Sequence, residues 1–186
     1  GTFDNIDIKA AFGGGITEHF SARAAVLYQS QSDWIDNGFT GENDALGGHD
    51  TGAFRVQFLW QASERFSALL NLHGWERDGT ARVFRANILK PGSNDLASGF
   101  SQDKVYQDGL NDQEISSQGG AFTLNYEFDF GTLTAITGYE TLDMFSRGDI
   151  DGGFGAVFAP PSGPGFIPFP SESADGLPEL DQFTQE

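Results

Sequence analysis

The chain has 186 residues, enough for one ordinary domain, with 38% apolar residues, 13% aromatics and a formal net charge of −17. That charge argues against nucleic acid as a partner, which needs clustered Lys and Arg, and against a surface helix held to anionic lipid. The absence of cysteine excludes disulfides, thiolate metal sites and Cys nucleophiles.

Modest apolar content with 18 Phe and 25 Gly suits thin apolar surfaces of alternating residues. A large oily core would need more apolar residues, and a disordered chain would lack the aromatics. No stretch approaches the roughly 18 consecutive apolar residues of a transmembrane helix. The N-terminus lacks the basic start and apolar run of a signal peptide. The chain opens without Met inside one patterned segment and stops inside another, so a piece of a longer chain is expected.

The first patterned segment, about 5–13, sets Ile6, Ile8, Ala10 and Phe12 on one face and Asp7, Lys9 and Ala11 on the other. A glycine-rich break follows. The second segment has Phe20, Ala22, Ala24, Val26 and Tyr28 opposite Ser21, Arg23, Ala25, Leu27 and Gln29. After a long gap, about 30–51, the third places Phe54, Val56, Phe58 and Trp60 against Arg55, Gln57 and Gln61. A short break at 62–65 leads to the fourth, with Phe66, Ala68, Leu70 and Leu72 against Ser67, Leu69, Asn71 and His73. A second long gap covers about 76–116. The fifth segment sets Phe122, Leu124, Tyr126 and Phe128 opposite Ala121, Thr123, Asn125 and Glu127. A tight break near 129–131 opens the sixth, about 132–145, whose weaker pattern puts Leu133, Ala135, Thr137 and Tyr139 together. A third long gap spans about 147–180, and 181–186 reads as the start of a seventh strand.

Alternation at every second residue over about 8–12 residues signals strands, because a helix needs spacings of three and four. The gaps run short, long, short, long, short, long. Outer-membrane barrels have short periplasmic turns and long extracellular loops, and their tilted strands need about 9–11 residues. The expected fold is therefore all-β: an antiparallel up-and-down meander, part of a transmembrane β-barrel, with three long loops on one side. Residues 1–186 would supply about six strands and the start of a seventh, too few to close the smallest common barrel of about eight.

Parity assigns the faces. Phe20, Val26, Tyr28, Phe54, Val56, Phe58, Trp60, Phe66, Leu70, Leu72, Phe122, Leu124 and Tyr126 are expected to face outer-membrane lipid. Arg23, Arg55, Gln57, Asn71, His73 and Asn125, with Lys9 and Glu127, are expected to face the lumen. Phe12, Phe20, Trp60, Phe66 and Phe128 sit beside short turns, and Tyr28, Phe54, Trp75 and Phe122 lie towards the long gaps. This predicts two aromatic girdles. Packing inside a soluble β-sandwich is the alternative reading of the same alternation.

Gly131-Thr-Leu-Thr-Ala-Ile-Thr-Gly-Tyr139, continuing through Phe145-Ser-Arg-Gly-Asp-Ile-Asp-Gly153, resembles a strand of the barrels of TonB-dependent receptors. Glu179-Leu-Asp-Gln-Phe-Thr-Gln-Glu186 resembles the strand start that follows it there, and Ala24-Val-Leu-Tyr-Gln-Ser-Gln-Ser-Asp-Trp-Ile-Asp-Asn-Gly38 an earlier strand and loop. The resemblance implies an early portion of a barrel of about 22 strands, its lumen plugged by an N-terminal domain. It implies uptake of a scarce nutrient (siderophore-iron, haem, cobalamin or carbohydrate) across the cell outer membrane of a Gram-negative bacterium. The partners implied are the plug and the remaining strands, TonB acting through that plug, and a small-molecule substrate. The plug and its TonB box are absent from these residues. A secreted all-β binding or adhesion module and a passive porin-like barrel are the other function classes left open.

Other motifs carry less. Arg147-Gly148-Asp149 is a chance-sized tripeptide. Asp149-Ile-Asp151-Gly152 faintly resembles a calcium loop without the further ligands of an EF-hand. Acidic residues gather in the gaps, where they can hold cations or keep a surface wet. His19, His49 and His73 are far apart, and His73 is expected to find a hydrogen-bonding partner on the lumen face. No Ser has a nucleophile-elbow context. No enzyme, catalytic residue, metal ligand set or cofactor is predicted. Ten aromatics in the long gaps, Trp34, Phe39, Trp75, Phe84, Phe100, Tyr106, Phe154, Phe158, Phe166 and Phe169, are expected to pack the loops together or to form a lid over substrate.

Overall fold

The computed structural model describes residues 2–158, 165–166 and 169–186. After a 3₁₀ turn at Thr2–Asp4, β1 (Ile6–Gly15) and β2 (Phe20–Gln31) form a hairpin. Then come two short strands, β3 (Ile35–Asn37) and β4 (Glu42–Leu46), and two long ones, β5 (His49–Ser63) and β6 (Phe66–Gly79). The rest of the order is β7 (Lys104–Val105), β8 (Asp112–Phe128), β9 (Gly131–Asp149), β10 (Val157–Phe158), β11 (Gly165–Phe166) and β12 (Glu172–Gln185).

The seven long strands make one antiparallel meander, ordered β1-β2-β5-β6-β8-β9-β12, with β1 and β12 as open edges. Turns at 16–19, 64–65 and 129–130 connect them at one end, and the three long loops leave from the other. The two-residue turns hold their strands in register, so the alternation of one strand continues into the next. One cross-strand row reads Phe12, Ala24, Val56, Leu72, Gly120, Tyr139 and Phe183. The next row across the sheet reads Gly13, Arg23, Gln57, Asn71, Ala121, Gly138 and Thr184, on the opposite face. Apart from Trp75, the residues grouped on the apolar face share one face of the sheet, and those grouped on the polar face share the other. The weakly patterned segment in β9 joins correctly through Leu133, Ala135, Thr137 and Tyr139.

Three expectations need correction. Trp75 does not join the apolar face: it pairs with Ala53 and Ser117, on the side of His73, because it stands an odd number of residues from Phe54's partner Gly74. The seventh strand begins at Glu172, not near Asp181. Gly176 and Pro178 suggest loop, yet Pro is accommodated at a register break between Leu177 and Leu180 on an edge strand, where no ladder hydrogen bond is needed. The long gaps also shrink. Strands β5, β6, β8 and β9 run on into polar sequence at the loop end, reaching 14–19 residues, because backbone pairing does not require apolar side chains.

The sheet has almost no interior. Among the described residues the buried apolar side chains are Ile35, Ala68, Ala81, Val105 and Ala156, and only Ala68 belongs to a long strand. The others lie in a cap built from the loops. There β3 pairs antiparallel with β4 and parallel with β7, joining the first loop to the second. The third loop is joined on by Phe154 N–H donating to the Tyr106 carbonyl (2.7 Å) and Ala86 N–H donating to the Gly152 carbonyl (3.1 Å). No helix among the described residues is long and apolar enough to cross a membrane.

Candidate functional site

Three places gather side chains whose arrangement has chemical content: the apolar face, the polar face and the cap.

On the apolar face, aromatic rings line the short-turn end. Phe20 stacks on Phe58 (6.0 Å between centroids), and Trp60, Phe66, Tyr126, Phe128 and Phe130 form a chain of contacts at 5.9, 6.4, 4.5 and 5.2 Å. Val, Leu, Ala and Phe fill the middle, and Phe54 and Val26 stand at the far side. Beyond them the same face turns acidic, with Asp50, Glu76, Asp78, Glu114 and Asp143 in the next rows. Tyr28 marks the change, its hydroxyl donating to Asp50 Oδ1 at 3.2 Å. From the Phe128 row to the row of Phe54 and Gln118 is ten residues of β8, about 33 Å along a strand.

The polar face is organised by pairs across strands. Asn125 Oδ1 accepts from Thr134 (2.8 Å), and Asp7 accepts from Lys9 (2.9 Å) and Gln29 (3.2 Å). The row Arg55, His73, Gly119 and Glu140 holds the densest cluster. With its proton on Nε2, His73 donates to Glu140 Oε2 at 2.9 Å, and Ser117 Oγ donates to Glu140 Oε1 at 2.5 Å. His73 and Glu140 lie on strands separated by β8, and they meet because the residue between them is Gly119. A Cβ there would run into the Glu140 carboxylate and stand 2.5 Å from the Tyr139 carbonyl oxygen. Glu140 sits between the other two, so His73 does not touch Ser117 as a base must touch a nucleophile. The cluster ties three strands together. His73 was legible as a hydrogen-bonding residue; Ser117 and Glu140 were not, because only the register brings them to it.

The cap buries polar groups. Asn37 is buried; its amide donates to the Gln107 carbonyl (2.8 Å) and its Oδ1 accepts from Phe39 N–H (3.0 Å). Gln107, also buried, donates to the Phe84 carbonyl at 3.5 Å. Phe39 and Phe154 meet at 5.2 Å and so join the first loop to the third, while Trp34 stacks at 4.9 Å on Phe3 of the N-terminal turn. Phe84, Tyr106 and Phe169 are exposed, while the side chains of Phe158 and Phe166 lie outside the described residues.

At the base of the cap three carboxylates converge: Asp149 at the end of β9, Asp151 in the turn after it, and Asp108 in the second loop. One oxygen of each lies within 4.8 Å of the others. Asp149 is fully buried and Asp151 nearly so. Asp149 Oδ2 accepts from Asp108 N–H (3.1 Å) and Gly109 N–H (3.3 Å), and Asp151 Oδ1 accepts from Gly153 N–H (2.9 Å). The remaining oxygens, Asp149 Oδ1, Asp151 Oδ2 and Asp108 Oδ1, are sealed from solvent and accept no hydrogen bond. Burial, then the adjacent Asp151 carboxyl, pushes the Asp149 carboxyl well above the ordinary carboxylate range, against the pull of the Gly109 and Asp108 N–H donors. The same burial removes Asp149 from view as part of a surface Arg-Gly-Asp; Arg147 instead sits 3.7 Å from Asp112. The Asp149-Ile-Asp151 spacing was visible in the sequence. Asp108 was not, since it carries no local signal within a long gap.

Comparison with protein-family models, curated proteins and solved structures returned no match.

Proposed function

We propose that the sheet is part of a transmembrane barrel in the outer membrane of a Gram-negative bacterium, and that the barrel is that of a TonB-dependent receptor importing a scarce nutrient. The observation that carries the membrane reading is the seven-strand meander with one continuous apolar face, rimmed by aromatics at its short-turn end and by carboxylates at its loop end. At a tilt of about 45°, the ten residues from the Phe128 row to the Phe54 row rise about 23 Å, close to the roughly 25 Å apolar band of such barrels. A soluble sandwich would have no reason to give way at one end of its apolar face to carboxylates on four neighbouring strands, Asp50, Glu76, Asp78, Glu114 and Asp143, and to place all its short turns at the other.

On this reading the open edges, β1 and β12, pair with further strands of the same barrel, because unpaired N–H and C=O groups in lipid cost several kcal/mol each. The polar face lines the lumen, where Arg23, Arg55, Gln57 and the His73–Glu140 pair are available to a plug domain. The cap lies outside the cell. The receptor assignment within the barrel class rests on the resemblance of 24–38, 131–153 and 179–186 to strands and loops of that family. The nutrient is a small molecule of the class such receptors carry, with siderophore-iron, haem, cobalamin and carbohydrate all compatible.

Fractionation tests the membrane reading. The protein should sediment with outer membranes and resist carbonate extraction; recovery in the soluble secreted fraction sinks it. Uptake tests the transport reading. A strain lacking the protein should lose growth on one limiting nutrient in a TonB-dependent way, and unchanged growth on all four classes would count against it.

A further inference from the structure

We propose that Asp108, Asp149 and Asp151 form a binding site for a calcium-type divalent cation that pins the second loop to the end of β9. The proposal is independent of the membrane reading, since the site lies in the cap.

Three carboxylates meet with one oxygen of each within 4.8 Å of the others, and each of the three also has an oxygen closed to solvent that accepts no hydrogen bond. Buried charge is tolerated when it is paired or bound to metal. Among the described residues no Lys, Arg or His forms an ion pair with any of the three. The N–H donors of Asp108, Gly109 and Gly153 satisfy one oxygen each of Asp149 and Asp151 and leave the other oxygen of each bare. Asp149 is decisive: it is wholly buried, its Oδ2 is held by two backbone donors, and that grip leaves Oδ1 without a donor among the other carboxylates.

The donor chemistry selects the ligand. All the free donors are carboxylate oxygens, with no imidazole or thiolate, which favours a hard cation over zinc or copper. Calcium takes about 6–8 oxygens at about 2.3–2.6 Å in adaptable geometry, so oxygens up to about 4.8 Å apart can share it. Magnesium, with bonds of about 2.0–2.1 Å and strict octahedral demands, fits so irregular a set less well. The three residues come from two loops and a strand end, so one ion cross-links segments that are about forty residues apart in sequence. The rival way to relieve the repulsion is a proton shared between Asp149 and Asp151.

Isothermal titration of the EDTA-stripped protein in detergent with calcium chloride should reveal one saturable site, with a Kd of about 10⁻³ M or tighter. Magnesium should bind at least about tenfold more weakly. Asp149→Asn with Asp151→Asn should abolish the binding, and Asp108→Asn should weaken it at least about tenfold. Asp108 is only partly buried and lies in a loop, so its variant tests the site even if the double variant fails to fold. Glu76→Gln, at the acidic rim of the sheet, should leave affinity unchanged. In limited trypsin digestion, saturating calcium should slow cleavage after Lys104 about tenfold in the parent and not in Asp108→Asn. Absence of a calcium heat up to about 10 mM overturns the proposal, as does equal binding by Asp108→Asn. Calcium-free stabilisation by Asp149→Asn without any binding assigns the cluster to a shared proton instead.

Discussion

The sheet and the cap solve opposite problems. The sheet satisfies its backbone through a regular ladder and leaves its apolar side chains bare, with Phe12 at 87% and Phe183 at 66% exposure on the edge strands. The cap has little regular structure, yet among the described residues it holds four of the five buried apolar side chains and the buried Asn37, Gln107, Asp149 and Asp151. One region depends on its surroundings for apolar contact, and the other makes its own interior from polar parts. Burial alone would therefore mislead about which region the fold is built on: the ladder organises the chain, while the interior sits on top of it.

This contrast can be broken at its strongest point by charge on the bare face. Phe58→Arg, mid-way up the apolar band, should destabilise folding into lipid vesicles by about 2–4 kcal/mol. Gln57→Arg, one residue away on the other face, should cost less than about 0.5 kcal/mol. Equilibrium denaturation of both variants decides it, and equal effects would mean that lipid does not meet the apolar face.

On the polar face, Gly119→Ala should cost about 1–3 kcal/mol through overpacking against the Tyr139 carbonyl and Glu140. It should also part His73 from Glu140, read as a change in the His73 imidazole NMR resonances. An unaltered resonance would show that the pair does not need the glycine notch.

The separateness of the two regions is sharpened by Asn37→Ala. Losing the bonds to Gln107 and Phe39 should cost the cap about 1–3 kcal/mol. Hydrogen exchange should then quicken at the amides of Asp36 and Gly38, which bond across to the second loop. Exchange at the centre of β6 and β8 should stay as slow as before; a sheet that loosened equally would make the two regions one cooperative unit.

The smallest effect belongs to the exposed pair of Arg65 and Asp129 at the short-turn end, 2.8 Å apart. Asp129→Asn should shift stability by under about 0.5 kcal/mol in denaturant titration, because solvent already screens both charges. A larger loss would mean that these turns are held by more than their backbone bonds.

Most of the sheet was legible because a strand's side chains alternate with a period of two whatever surrounds them. Phe54, Val56, Phe58 and Trp60 against Arg55, Gln57 and Gln61 need no partner to be read as a two-faced strand. The misplacement of Trp75 has a local cause: a large aromatic near a strand end reads as part of the apolar face until its parity is counted from Leu72. The early start of β12 was hidden because Gly176 and Pro178 are loop signals everywhere except at a bulged edge. In the cap, β3, β4 and β7 were illegible, since strands of two to five residues carry too few alternations to establish a period.

The order and direction of the long strands, their two faces and the end at which each turn lies were determined by sequence alone, because they follow from local periodicity and loop length. Which side chains meet was decided by tertiary structure. His73 and Glu140 are 67 residues apart and share a hydrogen bond only through the register of three strands and the gap at Gly119. Asp108 and Asp149 are 41 residues apart, brought together by a loop that folds back onto the end of β9. Periodicity is a property of neighbours along the chain, whereas a buried carboxylate cluster depends on how distant segments close, and that closure leaves no repeating mark in the sequence.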